Sequence, residues 1–297
     1  MGTPEFAIPS LEILINNDFN VAAVITAPDK PRGRGRKLSS PPVKEYALGR
    51  QIPVLQPRNL KDPEFIRTLR EYKADLQVVV AFRMLPEVVW SMPELGTFNL
   101  HASLLPQYRG AAPVNWVLIN GEKKTGVTTF FIKQEIDTGN IIHQEEEPVY
   151  PDDDAGTLHD RLMIRGARLV LKTVRSIAAG NFSLKVQQDQ TELKPAPKIT
   201  REMCRIDWDQ SQVKIHNFVR GLSPYPAAWT EIDNSVYKVY RVSAAVKSTA
   251  IEPGRFETDN RSYLHFQCAD GLINIIEWQP EGKRRMSITE FFRGNSL

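Results

Sequence analysis

The sequence predicts an α/β protein in which a doubly wound, mostly parallel sheet is followed by a small β-barrel. Short apolar runs alternate with helix-forming stretches through the first part of the chain, which is the pattern of a parallel sheet covered by helices. From Met203 onward, short alternating strands recur at regular spacing, as they do in small barrels. We therefore expect a first domain over residues 1–182, a linker over 183–202 and a second domain over 203–297.

The N-terminal segment is expected to be a turn that leads into a helix. Thr3 belongs to a residue type that caps helices, and Pro4 suits a first helical turn. Pro9 then either begins the regular helix or bends it. The turn contains no Gly-x-Gly-x-x-Gly motif, so it gives little support for a dinucleotide site.

Buried strands and helices alternate in the next part of the chain. Apolar runs of strand length favour parallel strands, because such strands are buried on both faces. These runs lie at residues 21–26, 52–55 and 76–81. Helices are expected at residues 42–50, 62–72 and 113–120, and later strands at 125–133 and 141–150, the last of them antiparallel.

A row of polar side chains marks the strand expected at residues 97–103. Three apolar residues alternate there with Asn99, His101 and Ser103, so the strand has one apolar face and one polar face. One interpretation is an edge strand with a solvated face. We favour a functional site, because Asn and His are poor formers of surface strands and because ligands bind at strand ends in α/β sheets.

An acidic residue downstream is the candidate partner of this polar row. Asp137 lies in an Asp-Thr-Gly sequence, which by itself predicts a hairpin turn. The pair of Asn99 and His101 needs an anion, and a carboxylate beside an imidazole orients it or holds it protonated. Glu135 is a weaker alternative. His143 and His159 are interpreted as structural or surface residues, and no serine or cysteine nucleophile is evident.

A basic loop lies between Lys30 and Lys37, where glycines separate the basic residues and no acid occurs. It is either a solvated loop or an arm that neutralises phosphates, and the alternation of arginine with glycine favours the arm. The side chains that would contact nucleic acid are Arg32, Arg34, Arg36 and Lys37.

The C-terminal part begins after a long amphipathic helix at residues 155–179. Its apolar face would be buried, and its basic face is either solvated or a contact for RNA. The apolar face comprises Leu158, Leu162, Leu169 and Val170. Strands of the second domain are expected at residues 228–232, 236–246, 264–268 and 272–279.

Composition excludes several classes of protein. With 297 residues, 41% of them hydrophobic and 25% charged, the chain suits two folded domains with their own cores. No apolar run reaches membrane-spanning length, and two distant cysteines make neither a zinc site nor a disulfide framework. The net charge of +3 does not by itself indicate a nucleic-acid binder. A monomer in the cytoplasm is the expectation.

The polar row also carries a resemblance to a known family. The run Asn99-x-His101-x-Ser103-Leu104-Leu105-Pro106, together with Asp137, resembles the formyltetrahydrofolate-dependent formyltransferases over nearly the whole chain. The opening Met-Gly-Thr-Pro-Glu-Phe-Ala and the basic loop are similar to the members that formylate methionyl initiator tRNA for translation initiation. The resemblance implies a Rossmann-like catalytic domain and an OB-like second domain that binds tRNA.

The resemblance also assigns roles to residues. It implies that Asn99, His101 and Asp137 are catalytic and that the formyl donor, 10-formyltetrahydrofolate, meets residues Ser103, Leu104, Leu105 and Pro106. The basic loop would enter the acceptor stem of the tRNA, and no metal is implied. Arg83 and Met84 depart from the smaller residues that family members usually carry after this strand.

Two other functions remain open at this point. The Asn99, His101 and Asp137 set would serve a formyltransferase that acts on a small amine, such as a nucleotide or an amino sugar. A non-catalytic RNA-binding protein could also use this fold. The basic loop and the second domain count against the first alternative, and the intact catalytic set counts against the second.

The start of the chain carries one further expectation. Family members have a short hydrophobic strand inside the sheet, directly before the Gly-Thr-Pro turn, whereas the printed sequence reaches that turn at Gly2. We therefore expect a strand-sized gap beside residue 2. We also expect the 297-residue chain to be poorly soluble or inactive.

Overall fold

The computed structural model describes residues 1–32, 37–188, 192–245 and 252–297. The chain forms two compact units. The first comprises residues 1–110, 125–147 and 159–195, and the second comprises residues 111–124, 148–158 and 196–297. The units are therefore interleaved along the sequence, and the contiguous boundaries at residues 182 and 203 stay a prediction.

The first part of the chain contains the predicted alternation of strands and helices. The strands are β1 (Val24–Ile25), β2 (Lys30–Arg32), β3 (Lys37–Ser39), β4 (Val54–Leu55), β5 (Gln77–Val80), β6 (Thr97–His101), β7 (Lys124–Phe131) and β8 (Ile141–Pro148). The helices are α1 (Ile8–Ile15), α2 (Pro42–Gly49), α3 (Pro63–Glu71), α4 (Glu87–Trp90), α5 (Pro113–Ile119) and α6 (Ala155–Ala178).

Local sequence explains most of these helix boundaries. The Asp62 carboxylate accepts a hydrogen bond from the Glu64 backbone N–H at 3.0 Å, which caps α3 at the expected place. Pro9 lies in the first turn of α1, so it begins the regular helix rather than bending it. Thr3 does not cap this helix, because Glu5–Ala7 form a 3-10 turn whose N-cap residue is Pro4.

The α/β sheet is divided into two pieces. Strand β1 pairs in parallel with β4, and a separate sheet has the order β5-β6-β7-β8. Strand β5 is parallel to β6, whereas β6 is antiparallel to β7. The predicted fold class is confirmed, with the mostly parallel part interrupted between β1 and β5.

The first two residues bridge this interruption at one end. The Gly2 N–H donates to the Ile25 carbonyl at 3.0 Å, and the Val80 N–H donates to the Met1 carbonyl at 2.9 Å. A Cβ atom on Gly2 would lie 2.6 Å from the Cβ of Ala7 and 2.9 Å from the Val80 carbonyl oxygen, so only glycine fits. Gly2 therefore marks the place where β1 and β5 are joined.

Below this bridge lies a cavity of about 370 Å³ between the edges of β1 and β5. Its walls are mostly apolar and include Val21, Ala22, Leu14 and Val174. The predicted strand at residues 21–26 is shortened to Val24–Ile25, because residues 21–23 border this cavity instead of a neighbouring strand. An apolar cavity therefore lies beside residue 2, at the position where the sequence predicts a gap.

The amino group of Met1 is buried beside this cavity, although the residue as a whole is partly exposed. It donates to the Val78 carbonyl at 2.6 Å, and burial lowers its pKa from 8.0 to about 5. Between these two values the unfolded chain binds the proton and the folded chain does not. The free energy of unfolding should therefore rise with pH across this window and fall as the pH drops towards 5.

This pH dependence can be measured by comparing the chain with its Nα-acetylated form. Acetylation removes the titrating group, so the contribution of the amine, up to about 4 kcal/mol between pH 8 and pH 5, should vanish. Urea unfolding of both forms at pH 5.5 and pH 8 isolates it from all other titrations. Identical pH dependence in the two forms would show that the amine is not buried in this way.

Helix α6 covers the sheet with its apolar side. Leu162, Leu169 and Val170 are fully buried, as the helical periodicity predicts. Three arginines on its basic side contact other residues of the chain. Arg161 and Arg165 both bind the Glu147 carboxylate. The Arg175 guanidinium donates to Asn17 at 2.7 Å. These pairings favour a structural face over the RNA contact left open by the sequence.

The second unit is built on one antiparallel sheet. Its strands are β9 (Ala228–Ile232), β10 (Ser235–Ala245), β11 (Phe256–Thr258), β12 (Leu264–Cys268), β13 (Gly271–Pro280) and β14 (Met286–Ser287), and its further helices are α7 (Gln212–Leu222) and α8 (Ile288–Phe292). The strand order is β11-β12-β13-β10-β9, with β14 beside β13. Register shifts at Arg241 bend β10, so the predicted barrel takes the form of a curled half-barrel.

Candidate active site

Strand β6 positions the polar row in the interior of the first unit. Asn99 lies opposite Val79 of β5 and Phe130 of β7, so the strand is paired on both sides. Phe98 and Leu100 are buried on the other face, as the alternation predicts. This pairing excludes the edge-strand interpretation and directs Asn99 and His101 to the same side of the sheet.

Both nitrogens of His101 face an oxygen atom. The Nε2 atom lies 2.8 Å from the backbone carbonyl of Tyr108, which can only accept, so Nε2 carries the proton of this hydrogen bond. The Nδ1 atom faces Asp137 Oδ2 at 3.8 Å. The side chains of His101 and Asp137 are only 7% and 13% exposed, so this pair is largely shielded from water. Nδ1 is the ring atom that remains for proton chemistry.

The oxygen of Asp137 that faces His101 also accepts a hydrogen bond from the backbone. The Gly110 N–H donates to Asp137 Oδ2 at 3.0 Å. Asp137 itself has a positive φ of 55°, which is an uncommon conformation that surrounding contacts must maintain. Glu135, the weaker alternative, is exposed on the same turn. The geometry therefore supports Asp137 rather than Glu135 as the partner of His101.

The segment after β6 is held by two side chains that the sequence did not single out. The Thr128 hydroxyl donates to the Ser103 carbonyl at 2.6 Å and accepts from the Leu105 N–H at 3.2 Å. The Gln144 amide donates to the Leu105 carbonyl at 2.7 Å. These bonds use the backbone groups of Ser103 and Leu105 internally. Leu104 and Pro106 remain partly exposed, and the peptide bond between Leu105 and Pro106 is cis.

The Asn99 side chain has no hydrogen-bond partner among the residues that the structure describes. An unpaired amide on the same face as His101 is available to a substrate oxygen. By contrast, His143 bonds the Ser176 hydroxyl at 3.1 Å, and burial lowers its pKa. His159 bonds Asp160 at 3.0 Å and packs on Phe6. His143 and His159 have structural roles, as the sequence indicated.

The basic loop is described only at its ends. Strands β2 and β3 pair as an antiparallel hairpin in which Arg32 lies opposite Lys37. Arg34 and Arg36 lie outside the described residues. The base of the hairpin is anchored by Asp29, which accepts from Gln56 at 2.8 Å and pairs with Lys44 at 2.7 Å. These bonds from Gln56 and Lys44 lower the pKa of Asp29.

Several site residues could not be found from sequence patterns. Thr128 and Gln144 are ordinary strand residues, and Gln187 lies in the polar stretch interpreted as a linker. Gly110 acts through its backbone N–H, for which no side-chain signal exists. The alternation of β6 was the informative signal, because it located the strand whose end holds the site.

Comparison with known proteins shows the family to which this chain belongs. Two family profiles match the chain: "Formyl transferase" over residues 1–174 and "Formyl transferase, C-terminal domain" over residues 198–296. A methionyl-tRNA formyltransferase of Bacteroides fragilis is 52% identical over 100% of this chain and 94% of its own length. The chain belongs to the methionyl-tRNA formyltransferase family. Another member, from Flavobacterium johnsoniae, is 48% identical over 99% of this chain and 94% of its own length.

A solved structure shares the fold. An N-formyltransferase from Helicobacter canadensis, in complex with folinic acid and dTDP-3-aminofucose, aligns with a TM-score of 0.66 and 23% identity. The alignment covers 94% of this chain and 97% of that chain. Within the described part of the chain, no helix is long and apolar enough to cross a membrane.

Proposed function

We propose that this protein transfers the formyl group of 10-formyltetrahydrofolate to the amino group of methionyl initiator tRNA. The carrying observation is the arrangement of His101 Nδ1 opposite the Asp137 carboxylate, with the unpaired Asn99 amide on the same face of the sheet. Family membership at about half identity over the full chain supports the tRNA substrate. Because bacterial tRNA is aminoacylated in the cytoplasm, we also propose a cytoplasmic location. We propose a monomer as the active form.

The chemistry requires stabilisation of an oxyanion and removal of a proton. The amino group attacks the formyl carbon, the carbonyl oxygen becomes negative, and the attacking nitrogen must lose a proton. We assign the Asn99 amide and His101 Nδ1–H as donors to the oxyanion, since preorganised donors in a shielded site stabilise such charge strongly. Asp137 takes the amine proton directly or through one water molecule. The oxyanion then collapses, the bond between the formyl carbon and N10 of the folate breaks, and the proton held by Asp137 passes to N10, so that tetrahydrofolate leaves.

The formyl donor is proposed to lie against the Ser103 to Pro106 segment. Since Thr128 and Gln144 already engage the backbone groups of Ser103 and Leu105, this segment offers the donor a rigid surface more than free hydrogen-bonding groups. Leu104 and Pro106, which are partly exposed, supply apolar contact for a pterin ring. Rigid support of this kind favours accurate placement of the formyl carbon.

The basic loop is proposed to bind tRNA phosphates through Arg32, Arg34, Arg36 and Lys37. Replacing Arg32, Arg34 and Arg36 together by alanine should weaken tRNA binding and flatten its salt dependence. For every duplex phosphate that the variant no longer neutralises, the slope of log affinity against log salt concentration should change by roughly 0.9.

The measurement for this triple variant is the tRNA Kd and KM over a range of salt concentrations, with the folate KM as an internal control. Arg168→Ala, a change at an exposed arginine on α6, serves as the matched control for loss of positive charge. If the triple variant keeps the wild-type slope of log affinity against log salt concentration, the basic loop is solvated and does not bind tRNA phosphates.

The function itself is tested by formyl transfer to aminoacylated and uncharged initiator tRNA, with the release of tetrahydrofolate followed spectroscopically. The assay uses the chain with a short hydrophobic strand added before Met1, because the 297-residue chain is expected to be poorly soluble or inactive. We expect turnover with methionyl-tRNA and none with uncharged tRNA, because only the former carries the α-amino group of methionine that accepts the formyl group. Tight binding of both tRNAs without turnover would favour the non-catalytic RNA-binding protein instead.

A further inference from the structure

One side chain in the segment after α6 joins the two loops that form the candidate site. The Gln187 amide nitrogen donates to the backbone carbonyls of Asp137 and Gly139, both at 2.8 Å. Its amide oxygen accepts from Arg109 Nη2 at 2.8 Å and from Arg109 Nε at 3.1 Å. Both amide hydrogens and the carbonyl oxygen of Gln187 are therefore engaged.

These contacts link the Asp137 turn to the loop at residues 109–110 by two routes. Gly110, the neighbour of Arg109, donates its N–H to Asp137 Oδ2 at 3.0 Å, while Gln187 holds the backbone of the same aspartate. The Asp137 turn is thus tied to the loop at residues 109–110 through both its side chain and its main chain. Since Asp137 adopts a positive φ of 55°, its conformation depends on such outside contacts.

The rest of the segment is also fixed against the site loops. Lys185 and Ile141 exchange backbone hydrogen bonds at 2.8 and 2.9 Å, just after the Asp137 turn. The Tyr108 N–H donates to the Lys194 carbonyl at 2.7 Å, next to the Tyr108 carbonyl that binds His101. The stretch interpreted from sequence as a linker therefore contacts the Asp137 turn and the loop at residues 108–110, whose backbone binds His101 and Asp137.

We propose that Gln187 is a positioning residue for formyl transfer. Its side chain keeps the Asp137 turn in register with the loop at residues 109–110, so that the Asp137 carboxylate stays opposite His101 Nδ1. This inference deepens the proposed function and rests on it. Gln187 touches neither the formyl donor nor the amine in this account, and it acts only through Asp137.

Gln187→Ala should lower kcat by about 10- to 100-fold, because small displacements of a catalytic group are costly. The KM values for folate and tRNA should not change. Gln187→Glu should be equally damaging, since a carboxylate still accepts from Arg109 but cannot donate to the carbonyls of Asp137 and Gly139. The matched control is Gln188→Ala, a change at the adjacent exposed glutamine, which should behave as wild type.

A double-mutant cycle separates positioning from a general structural role. In an Asp137→Asn background, Gln187→Ala should cost at most about 2-fold more, because residues that act as a unit are not additive. If the two losses multiply in full, or if Gln187→Ala keeps the wild-type kcat, Gln187 does not act through Asp137.

Amide hydrogen exchange at Gly110 tests the same contact without turnover. Exchange should accelerate in Gln187→Ala and stay unchanged in Gln188→Ala, because loosening the Asp137 turn frees the Gly110 N–H. Absence of formylation by the otherwise unchanged chain with an apolar strand added before Met1 would contradict the proposed function, whereas unchanged Gly110 exchange in Gln187→Ala would overturn the positioning role alone.

Discussion

Replacing His101 by alanine should lower kcat for formyl transfer by at least about 10²-fold, and Asn99→Ala should lower it by ~10²–10³-fold. The Asn99 amide is the unpaired donor on the polar face of β6, and removal of one such donor costs about 2.7–4 kcal/mol of transition-state stabilisation. In the proposed mechanism His101 donates through Nδ1 to the oxyanion, and it contacts both Tyr108 and Asp137, so its loss should be at least as damaging. Steady-state kinetics with methionyl-tRNA measure both effects.

Two controls distinguish chemistry from folding in these variants. The thermal midpoint should stay near that of the wild type for Asn99→Ala, because its amide has no partner among the described residues. His159→Ala, a change at a partly exposed histidine in the same unit, should leave kcat unchanged. Wild-type turnover in Asn99→Ala or His101→Ala would remove that residue from the mechanism.

Adding a short apolar strand ahead of Met1 should stabilise the protein by several kcal/mol. The cavity of about 370 Å³ between β1 and β5 is lined by apolar side chains, and filling it would join the two pieces of the sheet. Each large apolar side chain buried there is worth ~1.5–3 kcal/mol, against a total stability of about 5–15 kcal/mol. The extension also replaces the buried amine of Met1 by a peptide group.

The test compares the 297-residue chain with the extended chain. The two quantities measured are the thermal midpoint and the formylation rate. The extended chain should melt higher and formylate faster, because the added strand would pair with the edges of β1 and β5, which Met1 and Gly2 now join by backbone hydrogen bonds. An extension of equal length made of alternating aspartate and serine is the matched control and should not stabilise. If the 297-residue chain melts at as high a temperature and formylates tRNA as fast as the chain with the apolar extension, the sheet does not need a strand in this cavity.

Much of the fold could be predicted because strand and helix periods are local signals. The expected helix at residues 155–179 is observed as Ala155–Ala178, and the strand at 264–268 is observed as Leu264–Cys268. The short elements α4, β11 and β14 were missed, since two to four residues carry no measurable period. Strand β1 is shorter than predicted, because the length of a strand depends on the neighbour with which it pairs. On this side β1 borders the cavity, and local sequence does not encode that.

The candidate site was predictable only in part. Asn99 and His101 follow from strand alternation, whereas the choice of Asp137 depended on a resemblance, because an Asp-Thr-Gly sequence alone indicates a turn. The groups that hold these residues are backbone atoms of Tyr108 and Gly110 and the side chain of Gln187. Backbone contacts between distant loops leave no pattern in residue types, so the structure was needed to find them.

The most direct measurement compares kcat/KM for two amines with 10-formyltetrahydrofolate as the donor. One acceptor is methionyl initiator tRNA, and the other is a small amino sugar nucleotide such as dTDP-3-aminofucose. We expect efficient formylation of the tRNA, lost in His101→Ala, and only background transfer to the amino sugar. Efficient transfer to the amino sugar with none to the tRNA would contradict it and assign the same site to a small-amine formyltransferase.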